Sequence, residues 1–227
     1  MKKPLIIFGT GKIADVVLYY ATEECGYQVE AFVVDRPYVG SGEWKGRPVI
    51  ALDEVNDKFP PEQFEAFVAV GYHQLNNLRA TKCQSMIELG YHLVSIVSPL
   101  ANITKDLVFG YNCFIMPPCE IHPCVKLGNN VFVWGGAMVA HHCIVEDNCW
   151  ITSSVQIGGA SSIGQNTFLA LNATVGHGVT IGSSCFLGAN TLVTKNMLDN
   201  QVVIAESSKP IKLNSSQFLR FSSFSDL

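Results

Sequence analysis

The side chains best suited to acid–base chemistry in this sequence are three histidines, His141, His142 and His177. Gly159 lies eighteen residues after His141 and eighteen before His177. If residues eighteen apart lie over one another, the imidazole of His141 stands beside an unobstructed backbone N–H at Gly159. Such a pair suits acyl transfer to an amine or a hydroxyl, because the histidine removes the nucleophile's proton and the N–H stabilises the oxyanion. We therefore take His141 as the candidate base and His177 as an ordinary surface group.

A hexad repeat that would stack these residues runs from Ile103 to Val193. One large apolar residue recurs at every sixth position, and the residue two places before it is mostly small. This pattern predicts a three-sided parallel β-helix with eighteen residues in each coil. The spacing places His141 and His177 about 10 Å apart, at ~4.8 Å per coil. The large residues are Ile103, Phe109, Ile115, Ile121, Leu127, Val133, Val139, Val145, Ile151, Ile157, Ile163, Leu169, Val175, Ile181, Leu187 and Val193.

An aromatic residue marks the same corner of each coil, after a turn rich in glycine and asparagine. Both turn residues tolerate the positive φ that a sharp turn requires. Stacked at the coil spacing, the aromatic rings predict a ladder whose ordinary role is packing rather than cofactor binding. The ladder residues are Phe114, Phe132, Trp150, Phe168 and Phe186.

Before the repeat, predicted strands alternate with predicted helices, which is typical of a Rossmann-like parallel sheet. The strands are predicted over residues 5–8, 29–34, 48–51, 64–70 and 92–97, and the helices over 13–25, 52–59 and 75–89. We therefore predict an α/β domain over residues 1–97 and a β-helix over 98–200. A strand and a helix over residues 201–227 are expected to cap the open end of the coils or to contact a neighbouring chain.

The turn after the first strand matches the Gly-x-Gly-x-x-Ala pattern of dinucleotide-binding proteins at Gly9, Gly11 and Ala14, and Asp35 ends the next strand. Glycines let a phosphate approach the backbone, and the helix that follows offers free N–H groups. The pattern favours a nucleotide-bearing ligand over NAD itself, and a structural turn is the alternative. Other residues expected at the carboxyl ends of these strands are Lys12, Arg36 and Gly71.

Composition excludes several classes of function. The net charge of -4, with no basic run, gives no electrostatic case for nucleic acid binding. The longest apolar run near the N-terminus, residues 4–9, is too short for a signal peptide or a membrane span, so a cytoplasmic location is expected. Five of the eight cysteines fall in the small column of the repeat, and no Cys-x-x-Cys pair occurs, so we expect neither a metal site nor a disulfide framework.

The chain resembles the bacterial sugar O- and N-acyltransferases, which include the bacillosamine and perosamine N-acetyltransferases and the sialic acid O-acetyltransferases. The resemblance rests on an α/β domain leading into a hexapeptide repeat, on the His-x-Cys-Ile turn at residues 141–144, and on the Asn-x-aromatic-aliphatic coil start that occurs in four of the coils. It covers all but the C-terminal end of the chain. It implies a left-handed β-helix, a homotrimer, acetyl-CoA as donor in a groove between adjacent β-helices, and a nucleotide-linked sugar on the N-terminal domain.

Carried onto this sequence, the resemblance implies His141 as general base and the Gly159 N–H as oxyanion donor. The residues implied for the acceptor nucleotide are Thr10, Gly11, Lys12, Asp35, Arg36 and Gly71. The residues implied for coenzyme A are Trp150, Leu171 and Gly188.

Three features depart from the family pattern. The first is the C-terminal stretch Glu206-Ser-Ser-Lys-Pro210, which stands where the family usually has Gly-x-Pro-Ala-Lys. An acidic residue usually follows the base, but His142 stands there. Either His142 orients His141, or a carboxylate such as Glu146 or Asp147 takes that role. At Trp150, some members of the family have a histidine that touches the coenzyme, so the coenzyme contacts depart more from the pattern than the base does.

The sequence predicts an acetyl-CoA-dependent N-acetyltransferase that acts on a nucleotide-linked amino sugar by direct transfer, with His141 as base. Transfer to a sugar hydroxyl is an alternative, because an amine and an alcohol need the same base. A trimer that binds sugar nucleotides without catalysis is a second alternative. A nicotinamide-dependent oxidoreductase with a structural β-helix is a third, and it predicts nicotinamide binding instead of thiol release.

Overall fold

A computed structural model describes residues 2–221, and its N-terminal part is a sheet flanked by helices. The strands are β1 (Leu5–Phe8), β2 (Val29–Val34), β3 (Glu43–Trp44), β4 (Arg47–Ala51) and β5 (Glu65–Val68). The α-helices are α1 (Lys12–Tyr19), α2 (Val55–Lys58) and α3 (Asn77–Glu88), with a π-helix over Tyr20–Glu24 and 3-10 turns over Arg36–Tyr38 and Leu52–Glu54. The sheet order is β3-β4-β2-β1-β5, and all pairings are parallel except β3 with β4.

The centre of this sheet follows from its sequence, since all four residues of β1 are apolar and buried. Strands buried on both faces are typical of parallel sheets covered by helices. The helix predicted over 13–25 is α-helical only to Tyr19, and the π-helix completes it. The strand predicted over 92–97 is wrong as a single element. Only Leu93 bridges to the sheet, at Ala66, whereas Ile96–Val97 pairs with the first coil of the repeat.

The repeat forms a three-sided parallel β-helix, and three faces carry its two-residue strands. The face named here the ladder face consists of Ile96–Val97, Phe114–Ile115, Phe132–Val133, Trp150–Ile151, Phe168–Leu169, Phe186–Leu187 and Val202–Val203. The second face consists of Asn102–Ile103, Glu120–Ile121, Met138–Val139, Gln156–Ile157, Thr174–Val175 and Leu192–Val193. The third face consists of Lys126–Leu127, Ile144–Val145, Ser162–Ile163 and Thr180–Ile181.

The pairing confirms the eighteen-residue coil, because Phe132 aligns with Trp150 and Met138 with Gln156. The large hexad residues from Ile115 to Val193 are buried in one continuous core. Of the two earlier hexad residues, Ile103 is partly buried against this core, and Phe109 has 40% of its surface exposed. It lies in the first coil, whose third side is held by a single bridge at Val108, so no earlier coil covers it.

The buried cysteines of the repeat behave as small apolar residues. Burial raises the pKa of the Cys113 thiol to about 11 and that of the Cys149 thiol to about 12, so both stay protonated at neutral pH. Each thiol contacts a backbone carbonyl of the next coil, as Cys149 does at Gly164 (3.2 Å).

The turns before the ladder residues use asparagine and glycine for different reasons. Asn130 and Asn148 have φ values of 59° and 63°, the left-handed conformation that asparagine tolerates. Gly128 has no positive φ, but a Cβ there would lie 2.2 Å from the Asp147 carboxylate of the next coil. Glycine is therefore required at this position by close approach rather than by backbone conformation.

The aromatic ladder packs against the N-terminal sheet, which confirms its predicted packing role. The Phe132 and Trp150 rings stack with centroids 4.9 Å apart, and Phe168 and Phe186 do so at 5.0 Å. Phe67 of the strand β5 lies 5.8 Å from Phe132, within one shared core. The N-terminal part thus sits on the ladder face and leaves the opposite corner of the prism free of it.

The chain leaves the coils through Val202–Val203, which joins the ladder face, and ends in α4 (Ser215–Phe221). Leu219 in α4 is 66% exposed and Phe218 is 50% exposed, so these side chains do not cover the end of their own coil stack. Residues 222–227 of the predicted C-terminal cap lie outside the described residues. Within residues 2–221, no helix has the length and apolar character needed to span a membrane.

Candidate active site

The histidine corner, defined here as His141, His142, Gly159 and His177, lies where the second face turns into the third. The Ala160 N–H donates to the His141 carbonyl (2.9 Å), and the Gly178 N–H donates to the Gly159 carbonyl (2.9 Å). These bonds stack His141, Gly159 and His177 on three successive coils, and all three histidines are exposed.

Gly159 leaves the space that the His141 ring occupies. A Cβ on Gly159 would lie 2.7 Å from Cε1 and 2.8 Å from Nε2 of His141, distances that real Cβ atoms do not show. Among the described residues, no acceptor takes the Gly159 N–H. The site therefore combines an exposed imidazole with an unpaired backbone donor.

The rings of His141 and His177 lie closer together than the spacing of their coils predicts. Their ring centroids lie 6.4 Å apart, not about 10 Å, with the ring planes inclined by 56°. Two coil rises separate their backbones, but Gly159 has no side chain between them, so the rings lean toward each other.

His142 occupies the position expected of the base's acidic partner. Its Nδ1 lies 3.1 Å from Nδ1 of His141, within hydrogen-bond distance. The carboxylates considered as substitutes are engaged elsewhere: Glu146 accepts from the Gln165 N–H (3.0 Å), and Asp147 accepts from the Asn129 N–H (2.7 Å). Both belong to the next corner of the prism, so the geometry favours His142.

A cavity of about 510 Å³ opens at the carboxyl ends of β1, β2 and β5. Gly9 (φ +116°) shapes its floor, since a Cβ there would lie 2.9 Å from the Ala69 carbonyl oxygen. The cavity brings together five of the residues implied for the nucleotide, namely Thr10, Gly11, Lys12, Asp35 and Gly71.

Arg36, the sixth residue implied for the nucleotide, does not line this cavity. Its guanidinium lies 2.7 Å from Asp53 and 2.9 Å from Glu54, and it borders a separate depression. The hydrogen bonds that the Arg36 guanidinium donates to these carboxylates raise the pKa of Arg36 above its usual range. The strand end directs Asp35 into the cavity and the next residue away from it.

Lys82 also lines the cavity, although the sequence does not predict it. Its Nζ lies 2.6 Å from Asp35 Oδ1 and 5.5 Å from the centre of the Phe8 ring. It projects from α3, and no motif marks it. His73 also lines the cavity.

The coenzyme contact implied at Trp150 is wrong for this chain. Trp150 is only 2% exposed, stacks on Phe132, and lies 5.0 Å from the Arg79 guanidinium inside the interface with the N-terminal part. Gly188 is also covered, because its N–H donates to Val203 (2.7 Å). Leu171, at 57% exposure, is the accessible member of the implied set.

The histidine corner and the cavity lie on different sides of one chain. Every residue that lines the cavity belongs to the N-terminal part, which sits on the ladder face. The corner between the second and third faces is opposite the ladder face. One chain by itself therefore does not bring a ligand in the cavity to His141.

Comparison with known proteins shows which solved structures share this fold. No protein-family model matches the sequence, and no curated protein sequence does. Among solved structures, the acetyltransferase domain of PglB from Neisseria gonorrhoeae FA1090, in complex with acetyl coenzyme A, is 25% identical with a TM-score of 0.81, over 93% of this chain and 100% of that one. PerB from Caulobacter crescentus, in complex with CoA and GDP-perosamine, is 26% identical with a TM-score of 0.79, over 90% and 95%. The resemblance to bacterial sugar acyltransferases of the hexapeptide-repeat family is thereby confirmed.

Proposed function

We propose that this chain, whose fold is that of the bacterial sugar acyltransferases, transfers the acetyl group of acetyl-CoA to the amino group of a nucleotide-linked amino sugar. The observation that carries the proposal is the exposed His141 ring directly over the bare Gly159 backbone. The solved relatives bind acetyl coenzyme A, or CoA with GDP-perosamine, which supports the donor and the class of acceptor. The proposal includes a Rossmann-like character for residues 1–97, left-handed coiling of residues 98–200 and a C-terminal extension over 201–227 whose helix α4 contacts a neighbouring chain rather than covering its own coils.

In the proposed mechanism, Nε2 of His141 is the base. Nδ1 of His141 faces His142, whereas Nε2 faces Gly159, so an Nδ1–H that donates to His142 leaves Nε2 free to accept a proton. His142 then fixes the tautomer, the task that a carboxylate usually performs. The amine attacks the thioester carbon, its proton passes to Nε2, and the Gly159 N–H stabilises the oxyanion. Collapse of this intermediate breaks the C–S bond, and His141 returns the proton to the thiolate.

The cavity at the β1, β2 and β5 strand ends holds the nucleotide in this proposal. Lys12 and Lys82 outnumber the single carboxylate of Asp35, and the N-terminus of α1 adds unpaired N–H groups, so a diphosphate fits the local charge. Asp35, held by Lys82, is placed to accept from nucleoside hydroxyl or base N–H groups. Thr10, Gly11 and Gly71 let the ligand approach the backbone.

Lys82→Met is expected to raise the Kd of UDP or GDP by about 10- to 100-fold, because a charge-assisted hydrogen bond to phosphate is lost and Asp35 is left unpaired. Arg36→Met is the matched control, since Arg36 is a neighbouring cation outside the cavity, and its Kd should stay within about twofold of wild type. Isothermal titration measures both. Equal weakening by the two substitutions would contradict this assignment of the cavity.

The opposite placement of cavity and histidine corner is explained if each active site is shared between chains of a homotrimer. His141 of one chain then acts on the sugar held by its neighbour, with acetyl-CoA in the groove between their β-helices. Of the residues implied for coenzyme A, the exposed Leu171 is expected to border that groove. Gly188 is buried, so only its backbone lies beneath the groove.

Mixed trimers test this arrangement. His141→Ala removes the base and leaves the cavity, whereas Gly71→Trp fills the cavity and leaves the base; Gly71 has space for a side chain, with its nearest neighbour 3.7 Å from a built Cβ. Each variant alone should be inactive. Co-expression in equal amounts should restore about a quarter of wild-type turnover, because random assembly pairs an intact base with an intact cavity at that frequency. No recovery in trimers shown to be mixed would place both halves in one chain.

The two leading candidate functions, N-acetyl transfer and O-acetyl transfer, differ in the sugar atom that accepts the acetyl group. The relative crystallised with GDP-perosamine is described as an N-acetyl transferase, which favours an amine over a hydroxyl. A screen for thiol release from acetyl-CoA, with UDP-, GDP- and dTDP-linked amino sugars beside their hydroxyl counterparts, tests the proposal. We expect release that depends on one amino sugar nucleotide. Release with the hydroxyl compounds alone would identify an O-acetyltransferase, whereas nucleotide binding without any release would identify a non-catalytic binding protein.

A further inference from the structure

His177 faces the reacting position from the side opposite His141, although the mechanism above does not use it. Its ring centroid lies 6.4 Å from that of His141, and Gly159 between them carries no side chain. Both rings are exposed, and the Gly159 N–H between them has no acceptor among the described residues. The two imidazoles and this N–H therefore border the same open space, into which the carbonyl oxygen of a thioester can reach.

The backbone that carries His177 is fixed, although its side chain is exposed. Gly176 donates to the Val193 carbonyl (2.8 Å), and Gly178 donates to the Gly159 carbonyl (2.9 Å). The Ser161 hydroxyl donates to the Gly176 carbonyl (2.8 Å) and anchors the same turn from the coil before it. The turn thus holds its imidazole at a defined height above Gly159.

The His177 ring has almost no interaction partners within the described chain. Within residues 2–221 it forms no hydrogen bond or ion pair, and its one ring contact is with His141. No carboxylate stands in the column of His141, Gly159 and His177, so no negative side chain of this column opposes a ligand atom that becomes negative.

We infer that His177 donates its ring N–H to the thioester carbonyl oxygen and, with the Gly159 N–H, stabilises the oxyanion. The inference rests on the proposed acetyl transfer. As the amine nitrogen bonds to the acyl carbon, the carbonyl π pair moves onto the oxygen and is held by the two donors. The pair then returns and expels the coenzyme A thiolate. His177 neither gains nor loses a proton, which distinguishes it from His141.

Two substitutions separate a donor from a proton-transfer group. His177→Ala removes the N–H and should lower kcat about 100- to 1,000-fold, whereas His177→Gln retains an N–H donor and should stay within about tenfold of wild type. KM for acetyl-CoA should change little in either variant. His92→Ala, at an exposed histidine of the N-terminal part, is the control for histidine loss. Wild-type turnover in His177→Ala, or equal losses in the alanine and glutamine variants, would overturn the inference.

A binding measurement tests His177 without turnover. In protein labelled with ¹⁵N-histidine, the ring signal that disappears in His177→Gln should shift when acetyl-CoA is added. An unshifted signal at saturating acetyl-CoA would overturn the inference. Absence of thiol release by the wild-type protein across the acceptor panel would instead contradict the proposed function.

Discussion

His141→Ala is expected to lower kcat for acetyl transfer by about 1,000-fold, because it removes the one group placed to take the amine's proton. The side chain is exposed and buries no core surface, and its backbone bonds to Ala160 do not depend on the ring. The substitution should therefore leave the coils and the trimer intact. Thiol release measures kcat, and size-exclusion chromatography with light scattering checks assembly.

Two controls make the His141 result specific. His92→Ala should retain turnover, and calorimetric Kd values for coenzyme A and for the nucleotide should match wild type in His141→Ala. His142→Gln should cause a smaller loss of about tenfold, since a glutamine oxygen can still accept from Nδ1 of His141. Turnover within tenfold of wild type in His141→Ala would remove this residue as the base, on the scale expected for such groups.

Arg79→Ala should destabilise the chain by about 3–5 kcal/mol, through a cavity and unsatisfied buried acceptors. Arg79 is fully buried between α3 and the ladder face. Its guanidinium donates to Asn76 Oδ1 (2.9 Å), to the side chain and carbonyl of Asn130 (2.9 and 3.1 Å), and to the Asn148 carbonyl (3.0 Å). Its carbon centre lies 4.5 Å from the middle of the Phe132 ring.

The charge of Arg79 survives its burial. Desolvation lowers the pKa of Arg79 to about 10, which still leaves it protonated at neutral pH. Its partners are neutral carbonyl oxygens rather than a carboxylate, so the hydrogen bonds and ring contacts offset the cost of burying the cation. The alanine variant keeps none of these contacts and leaves their acceptors without a donor.

Scanning calorimetry measures the Arg79 effect. A loss of this size should lower Tm by roughly 10 °C in a chain of this length. Lys58→Ala, at an exposed lysine paired with Glu54, is the control and should shift Tm little. A Tm for Arg79→Ala equal to that of the control would show that this buried cluster does not hold the N-terminal part on the β-helix.

Much of the β-helix could be predicted from the sequence because its contacts repeat at one fixed distance along the chain. Once eighteen residues make a coil, the neighbours of His141 follow by counting, and Gly159 falls beneath its ring. The repeat gives the coil on which each residue lies but not the conformation of its side chain. It therefore does not predict the close approach of the His177 ring to the His141 ring. Phe109 is predicted to be buried but is exposed for a related reason, since the period of a repeat does not show at which residue the stack of coils begins.

The N-terminal part was predictable only where local sequence sets the structure. The glycine turn and Asp35 mark strand ends, and both line the cavity. Lys82 and Arg79 lie on α3, and their surroundings depend on how this helix packs against β1 and the ladder face. Trp150 is predicted as a coenzyme contact but is buried, because the sheet that covers the ladder face lies far away in the sequence.

Identification of the product shows directly whether this chain acetylates the amino group of a sugar nucleotide. Protein, acetyl-CoA and the amino sugar nucleotide selected by thiol release are incubated, and the sugar nucleotide is analysed by mass spectrometry and NMR. We expect a product heavier by one acetyl group, with an amide at the former amine, formed by the wild-type protein and not by His141→Ala. An unmodified sugar nucleotide would contradict the proposed N-acetyl transfer, and equal acetylation by both proteins would contradict His141 as its base.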